Sequence, residues 1–532
     1  MQKKWITIPG VQLLLFCVLS GVVFFPNLSR TFASDDFLVL KRVGVDKVIW
    51  IKGFFRPVTD MIHYLNYCIG GFDPRGYYAL HILMHGINSW LLLQFCRSWK
   101  WTNDEKMQST FAVSAALLFL VYPFHSEGVS WILGIAALSA GLFGMAALLA
   151  VVSGLSLGNR IFWCCLFYFI GLACYESVML LPLMVLVILY SEKRSLRGMG
   201  GWLAALGGTL GIHLVIRILV SGVFAGEYGG KFFGGRVLYY GKNFVALLDR
   251  LFLPPMQDIR VQLVCEIILL FGLAVLGFSF WRVMRNERGW RAVGKKRGSQ
   301  TPKGRAAMGW ATMGPAVAGR TYFIQLMLLL GISCVVPVLS GVSTHTSESD
   351  RFLYLPSYFL CAGIAFVLMH VIRDRRWFYG VMGVLMLYEV FFVEVNNRNW
   401  RQASDITREV LARVKGEMAG GKKVFVINLP DEQDGAYIFR LGLPEALLME
   451  GVDTSGLVIV NHLVRDEELR LPDSLSIRVA GNAIRLLPDV VIWKVSLDSF
   501  RIDDDVRSWY GGKGDVVLYW NRKRFLEWGL GQ

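Results

Sequence analysis

From Ile6 to about residue 395 the chain is a succession of long apolar blocks, with its charged residues gathered between them. The first block, Ile6 to Phe25, is long enough alone to cross a bilayer, since about 20 apolar residues cover the hydrocarbon core. A backbone crossing lipid must satisfy its own N–H and C=O groups, so blocks of this length fold as helices. The composition agrees: 54% of residues are hydrophobic and mean hydropathy is +0.47. The expected fold class is mainly α, a polytopic membrane protein, followed by a small soluble α/β domain.

Charge orders the blocks. Lys3 and Lys4 precede the first helix, and basic loops stay on the cytoplasmic side. Arg97, Lys100 and Lys106, the run Ser191 to Arg197, and Arg373 to Arg376 mark further inner loops. The basic linker Trp281 to Arg320 has one acid, Glu287. It is read first as a topology signal and second as a contact for anionic membrane lipids. With no aromatic platform or RNA-binding motif beside it, the net charge of +15 does not point to nucleic acid. Breaks at Tyr122–Gly128 and at Tyr175–Glu176 divide two apolar stretches into hairpins. The expectation is about eleven transmembrane helices, N-terminus inside and C-terminal domain outside. The nine cysteines contain no C-x-x-C and read as small apolar packers.

Residues 26–76 form the expected first outer loop, in which Thr31-Phe-Ala-Ser-Asp-Asp-Phe37 carries two adjacent carboxylates. In the next helix His81, His85 and Asn88 share one face, as groups packing inside the bundle. Beyond Asn396 the composition becomes soluble. Asp405 to Lys415 reads as an amphipathic helix, Lys423 to Asn428 as a buried strand, Ile438 to Met449 as a helix and Leu457 to Val460 as a strand. Val490 to Val495 and Val516 to Trp520 read as further strands. The expected domains are therefore 1–395 and 396–532.

On this topology one side of the membrane collects Asp35, Asp36, Arg56, His125, Glu127, Glu176, Asp350 and Arg351, with Arg217 near the outer end of its helix. Ionisable groups at membrane depth are costly and default to functional hypotheses. Acids, an imidazole and guanidiniums together suit transfer from a phosphate-bearing donor. A carboxylate takes a proton from an acceptor hydroxyl, and an arginine fork neutralises a departing phosphate. Asp350, adjacent to Arg351, is expected to hold that guanidinium in place. Arg217 has snorkelling to the surface as its plain alternative.

The motifs Phe55-Arg-Pro57, Phe72-Asp-Pro74, His81-Ile-Leu-Met-His85, Tyr122-Pro-Phe-His-Ser-Glu127 and Arg351-Phe-Leu-Tyr-Leu-Pro356 resemble the membrane part of GT-C superfamily glycosyltransferases. They are most similar to the transmembrane and tetratricopeptide-repeat O-mannosyltransferases and their bacterial relatives. The resemblance covers residues 1 to about 400. It implies a polyprenyl-phosphate sugar donor and a general base at the first acid after helix 1, here Asp35. Asp36 would orient the acceptor or share a divalent cation, Mg or Mn, with Asp35 and Glu127. Arg56 and Arg351 would meet the donor phosphate, and His125 and Glu127 would line the same pocket, with Glu176, Arg217 and Asp350 as further substrate-binding candidates. Residues 396–532 show no period of about 34 residues, so the tetratricopeptide repeats of those relatives are missing.

The expected function is an inverting glycosyltransferase of an extracytoplasmic face, acting on a glycan, lipid or protein hydroxyl. The compact tail favours a bacterial inner membrane. The alternatives are a transporter or flippase for a lipid-linked or anionic substrate, and a non-catalytic membrane scaffold. A transporter would show internal repeats, and none is visible.

Overall fold

The computed structural model describes residues 8–49, 53–191, 196–222, 237–256, 258–285, 315–341, 344, 346–372, 374–460, 478–480, 483–487, 490–496, 498–503, 507–520 and 524–529. Most of the basic linker, 286–314, lies outside them. Two compact units are present: Met1–Ser29 with Asp46–Asn399, and Arg30–Val45 with Trp400–Gln532.

The first unit is helical. Its elements are α1 (Pro9–Phe24), α3 (Pro57–Gly70), α4 (Pro74–Ser98), α5 (Glu105–Val121), α6 (Ser126–Ser130), α7 (Ile135–Val152), α8 (Leu157–Cys174), α9 (Leu181–Ser191) and α10 (Leu196–Ser221). They continue as α11 (Val237–Arg250), α12 (Ile259–Arg285), α13 (Pro315–Ser340), α14 (Tyr354–Val371) and the first part of α15 (Arg375–Met418). The intervening α2 (Asp35–Leu40) belongs to the second unit.

Each apolar stretch read from the sequence contains one of these helices. Even so, among the described residues eight helices are long and apolar enough to cross a membrane, or up to nine with the pair Glu105–Val121 and Pro123–Ser130, bent by 52°. By length and composition these helices do not confirm the expected count of eleven. Helix α9 has only 11 residues, about 16 Å at 1.5 Å per residue, half of the hydrocarbon thickness. Helix α4 has 25 residues but carries polar groups along its length, including His81, His85, Asn88 and Arg97.

Those polar groups face protein. Asn88 Nδ2 donates to Leu138 O and to Tyr354 Oη, both at 3.0 Å. His85 Nε2 lies 3.0 Å from Leu120 O, and its Nδ1 lies 2.9 Å from Tyr354 Oη. A carbonyl only accepts, so Nε2 carries the proton and Tyr354 donates to Nδ1. His81 Nδ1 meets Gly128 O at 3.2 Å. The stripe therefore binds α4 to α5, α6, α7 and α14, as the sequence reading expected of it.

Helix α15 is one 44-residue helix through a stretch read from the sequence as a span, a boundary and a separate helix over 405–415. No proline or glycine interrupts 384–415, so nothing local stops the helix where the composition turns polar. The division between units falls within it, at Asn399/Trp400.

In the second unit β1 (Val424–Ile427) lies parallel to β4 (Leu457–Val460) on one side and to β10 (Val516–Trp520) on the other, with β11 (Phe525–Gly529) antiparallel beyond β10. Strand β1 is buried at all four positions, which is why it reads as an unbroken apolar run. The short β2 (Glu432–Gln433) and β3 (Ala436–Tyr437) pair as a hairpin, and α16 (Leu443–Met449) completes the crossover to β4. Helix α16 is shorter than the expected 438–449, because Gly442 takes φ +91° and the chain before it is held in the hairpin loop. A five-stranded antiparallel meander follows, β5 (Arg478–Ala480), β6 (Ala483–Leu487), β7 (Val490–Ser496), β8 (Ser499–Asp503) and β9 (Ser508–Gly512). Phe500 and Ile502 of β8 share a core with Phe425 and Ile427 of β1.

The α4 stripe yields a stability prediction. Asn88→Leu leaves Leu138 O and Tyr354 Oη without their shared donor and destabilises the bundle by about 1–2 kcal/mol. Unfolding in detergent micelles checks it, and an unchanged midpoint excludes the network as a stabilising element.

Candidate functional site

In the first unit, residues from six separate segments meet as acid–arginine pairs. Arg217 Nη2 donates to Glu176 Oε1 at 2.7 Å, and Arg56 Nη2 and Nε donate to Glu176 Oε2 at 3.1 and 3.3 Å. The Arg351 guanidinium pairs with Glu127 Oε1, and its backbone N–H donates to Glu127 Oε2 at 2.6 Å. Arg250 Nη2 reaches both oxygens of Asp350, at 2.6 and 2.5 Å. Four guanidiniums thus face three carboxylates.

Aromatic rings join the pairs into one band. The Arg56 guanidinium lies 4.5 Å from the Tyr175 ring centroid, and Tyr175 stacks on Phe352 at 5.8 Å. Arg351 lies between Trp131 and Phe352, at 5.2 and 5.1 Å from their centroids. Arg250 covers Phe124 at 4.4 Å. Cation–π contacts of this kind gain strength where water is excluded.

Local chain geometry explains how the side chains are presented. Glu127 sits in α6, between the turns Pro123–His125 and Ile132–Gly134. A Cβ at Gly134 would lie 2.6 Å from Glu127 O, so only glycine lets the second turn close against the first. Asp350 and Arg351 open the 3₁₀ turn Asp350–Leu353, preceded by Ser349 at φ +75°. A non-glycine residue held there costs about 1–3 kcal/mol. Glu176 lies in the turn between α8 and α9. Burial opposes its ionisation, but Arg56 and then Arg217 outweigh that effect and hold its carboxyl below the usual range.

Several expectations change. Arg217 does not snorkel: its side chain is 1% exposed and turned to Glu176. Asp350 does not hold Arg351. Successive residues of a tight turn diverge, so Asp350 meets Arg250 while Arg351 meets Glu127. His125 is fully buried, with Nε2 2.7 Å from Ser357 Oγ and its ring against Phe119, Tyr122 and Tyr354. Arg250 and Tyr175 were missed by sequence reasoning. The signal for Arg250 was present, a basic residue closing an amphipathic helix just ahead of Leu253-Pro-Pro255, and its Nη1 donates to Leu253 O at 2.5 Å.

Asp35 and Asp36 lie in the second unit, at the start of α2. Their environments differ. Asp36 is fully buried and its Oδ2 accepts from Ala33 N at 2.9 Å, back across the turn. Asp35 is half-buried and its Oδ1 accepts from Ser34 Oγ at 3.0 Å. Ser34 itself has φ +50°, a second strained serine immediately before an acidic site candidate.

Among the described residues no group of three or more His, Cys, Asp or Glu side chains is arranged to hold a metal ion. Both oxygens of Glu127 are already engaged by Arg351, so Glu127 does not fit the role of a shared cation ligand.

No protein-family model matches the chain. Parts of it are similar to curated proteins. Protein O-mannosyl-transferase TMTC3 of Homo sapiens is 30% identical over 109 residues, 20% of this chain and 11% of that protein. Protein O-mannosyl-transferase tmtc2 of Xenopus laevis is 33% identical over 119 residues, 21% of this chain and 13% of that protein. The match spans about a tenth of the length of these relatives. This similarity agrees with the resemblance carried by the sequence motifs. Among solved structures the chain is similar to ArnT from Cupriavidus metallidurans bound to undecaprenyl phosphate, with a TM-score of 0.44 and 13% identity over 84% of this chain and 89% of that one.

The fully buried Arg250–Asp350 pair makes a sharp test. Asp350→Leu leaves an uncompensated buried guanidinium and costs about 3–5 kcal/mol. Adding Arg250→Met recovers most of that loss, and a double-mutant cycle on thermal unfolding in detergent measures the coupling. Additive effects of the two substitutions would contradict the pair.

Proposed function

We propose that this protein is a membrane glycosyltransferase of the GT-C type, moving a sugar from a polyprenyl-phosphate carrier to an acceptor hydroxyl on the extracytoplasmic face. The observation that carries the reading is the band of acid–arginine pairs, with Arg56 and Arg351 as its partly exposed cations, 23% and 19% accessible. The other two guanidiniums, Arg217 and Arg250, are buried at 1% and 0%. A rigid band with excess positive charge and two reachable forks suits a phosphate monoester or diester. The similarity of chain segments to proteins named O-mannosyl-transferases supports sugar as the transferred group.

In this mechanism the acceptor O–H gives its proton to the Asp35 carboxylate as its oxygen attacks the anomeric carbon. The new C–O bond forms while the bond from that carbon to the phosphate oxygen breaks. The bonding pair leaves with the polyprenyl phosphate, whose growing charge is met by Arg56 and Arg351. A single displacement inverts the anomeric centre. Asp36, buried and turned back onto Ala33 N, is assigned to shaping the turn that presents Asp35. Glu176 and Glu127 hold Arg56 and Arg351 in register. Arg217 shares Glu176 with Arg56, and the Arg250–Asp350 pair anchors the 3₁₀ turn from which Arg351 extends. His125 supports the α6 turn through Ser357.

The test is release of polyprenyl phosphate and appearance of glycosylated acceptor in membranes supplied with polyprenyl-phosphate mannose and other polyprenyl-phosphate sugars. Asp35→Asn is expected to lower kcat about 10²–10⁴-fold, the range for removal of a general base. Arg56→Ala and Arg351→Ala are expected to raise the donor KM and lower kcat together. Transfer at the normal rate by Asp35→Asn would remove the base assignment, and no turnover of any such donor by the intact protein would remove the glycosyltransferase reading.

A further inference from the structure

The second unit pairs three parallel strands with an acidic turn contributed from far upstream in the chain. In open α/β sheets, ligand-binding loops emerge from the carboxyl ends of the strands. Here the loop leaving β1, residues 428–442, is tied down at its root. Asn428 N donates to Val460 O at 3.1 Å and Asn428 Nδ2 to Trp520 O at 3.0 Å, clasping both neighbouring strands. The hairpin that follows is closed by Ile438 N to Asp431 O at 2.8 Å and Phe439 N to Pro430 O at 3.0 Å. Residues 31–37 are seated on this loop.

The seating is specific in four ways. Ser34 N donates to Ile438 O at 2.7 Å. Phe37 stacks on Phe439, with centroids 5.7 Å apart and planes within 17°, and Phe32 meets Phe37 edge-on at 6.0 Å. Thr31 N donates to Ser404 Oγ of α15 at 2.9 Å. A Cβ on Gly442, whose φ is +91°, would lie 2.5 Å from Ser34 O. Backbone donor, backbone acceptor and ring stack therefore bracket Ser34 and Asp35 on both sides.

We propose that the C-terminal α/β unit is a positioning device for the general base: its β1–α16 connection, through Ile438, Phe439 and Gly442, holds the strained Ser34–Asp35 turn in its working conformation. This rests on the glycosyltransferase reading for its catalytic half. Ile438, Phe439 and Gly442 are positioning residues and touch no substrate themselves. The Ser34 side chain makes no cap to α2 and donates instead to Asp35 Oδ1. The contacts from Ile438, Phe439 and Gly442 therefore add to the local Ala33–Asp36 hydrogen bond in holding its φ. Held geometry of this kind is worth large factors in rate, because a misplacement of about 1 Å costs on the order of a hundredfold.

The experiment uses the full-length protein in lipid nanodiscs and compares Gly442→Ala with Gly451→Ala. Both glycines have positive φ, +91° and +78°, but a Cβ at Gly451 meets nothing within 4 Å. The difference between the two isolates the contact with Ser34 from the general strain of an alanine at positive φ. Hydrogen exchange over residues 31–40 and turnover of polyprenyl-phosphate mannose are read together. In Gly442→Ala, amide exchange at 31–40 is expected to rise at least about tenfold. Its kcat should fall by about ten- to a hundredfold while donor KM stays the same. Gly451→Ala should match the wild type in both. Phe439→Tyr, which keeps the ring stack, should retain the kcat that Phe439→Ala loses. Unchanged exchange in Gly442→Ala overturns the seating, and raised exchange with wild-type kcat overturns the positioning role. If the wild type turns over no polyprenyl-phosphate sugar at all, the glycosyltransferase reading falls. Hydrogen exchange alone then decides whether the unit holds the turn.

Discussion

A carboxylate or guanidinium withdrawn from water must meet its opposite, or it destabilises the fold by several kcal/mol. The first unit depends on satisfying that demand three times over, at Glu176, Glu127 and Asp350, with four arginines drawn from different helices and turns. The ends of α5, α8, α10 and α11 are therefore not free to drift apart, because separation of any one strands a charge. The same pairs give the band its chemical character. Two of its guanidiniums are sealed by protein, and the other two keep part of their surface open.

The α4 stripe answers a related demand with neutral groups. His85, Asn88 and Tyr354 satisfy one another and the carbonyls of Leu120 and Leu138. Hydrogen bonds of this sort are modest individually in a membrane, but leaving any member unpaired is expensive. Polar residues in a membrane helix thus serve two purposes here. On α4 they bind helices together, and in the turns they form the acid–arginine pairs.

Strain recurs at the acidic candidates. Ser34 and Ser349, both at positive φ, immediately precede Asp35 and Asp350. In each case the surroundings over-determine the conformation: Ile438 O and the Phe37–Phe439 stack for the first, the Glu127–Arg351 and Arg250–Asp350 pairs for the second. Such positions persist only where neighbouring contacts outweigh their cost. This is also why the two adjacent aspartates divide, Asp36 turning inward onto Ala33 N while Asp35 keeps partial exposure.

Membrane class, the rough placement of nearly every helix and the buried strand 424–427 were legible in sequence, because apolar run length and an unbroken run of apolar β-formers are local properties. So was the roster of unusual charges, since ionisable residues beside apolar blocks are rare enough to stand out. Local patterns could not reveal the partners. The ion pairs join residues 41, 120, 100 and 224 positions apart, and no periodicity encodes such separations. Nor could composition show that Arg30–Val45 groups with Trp400–Gln532, or that α15 continues past the point where its residues turn polar. Sequence alone determined which residues had to be sheltered or paired, because desolvation penalties belong to the side chain. Tertiary structure decided which group shelters which, because that depends on where distant segments of the backbone come to rest.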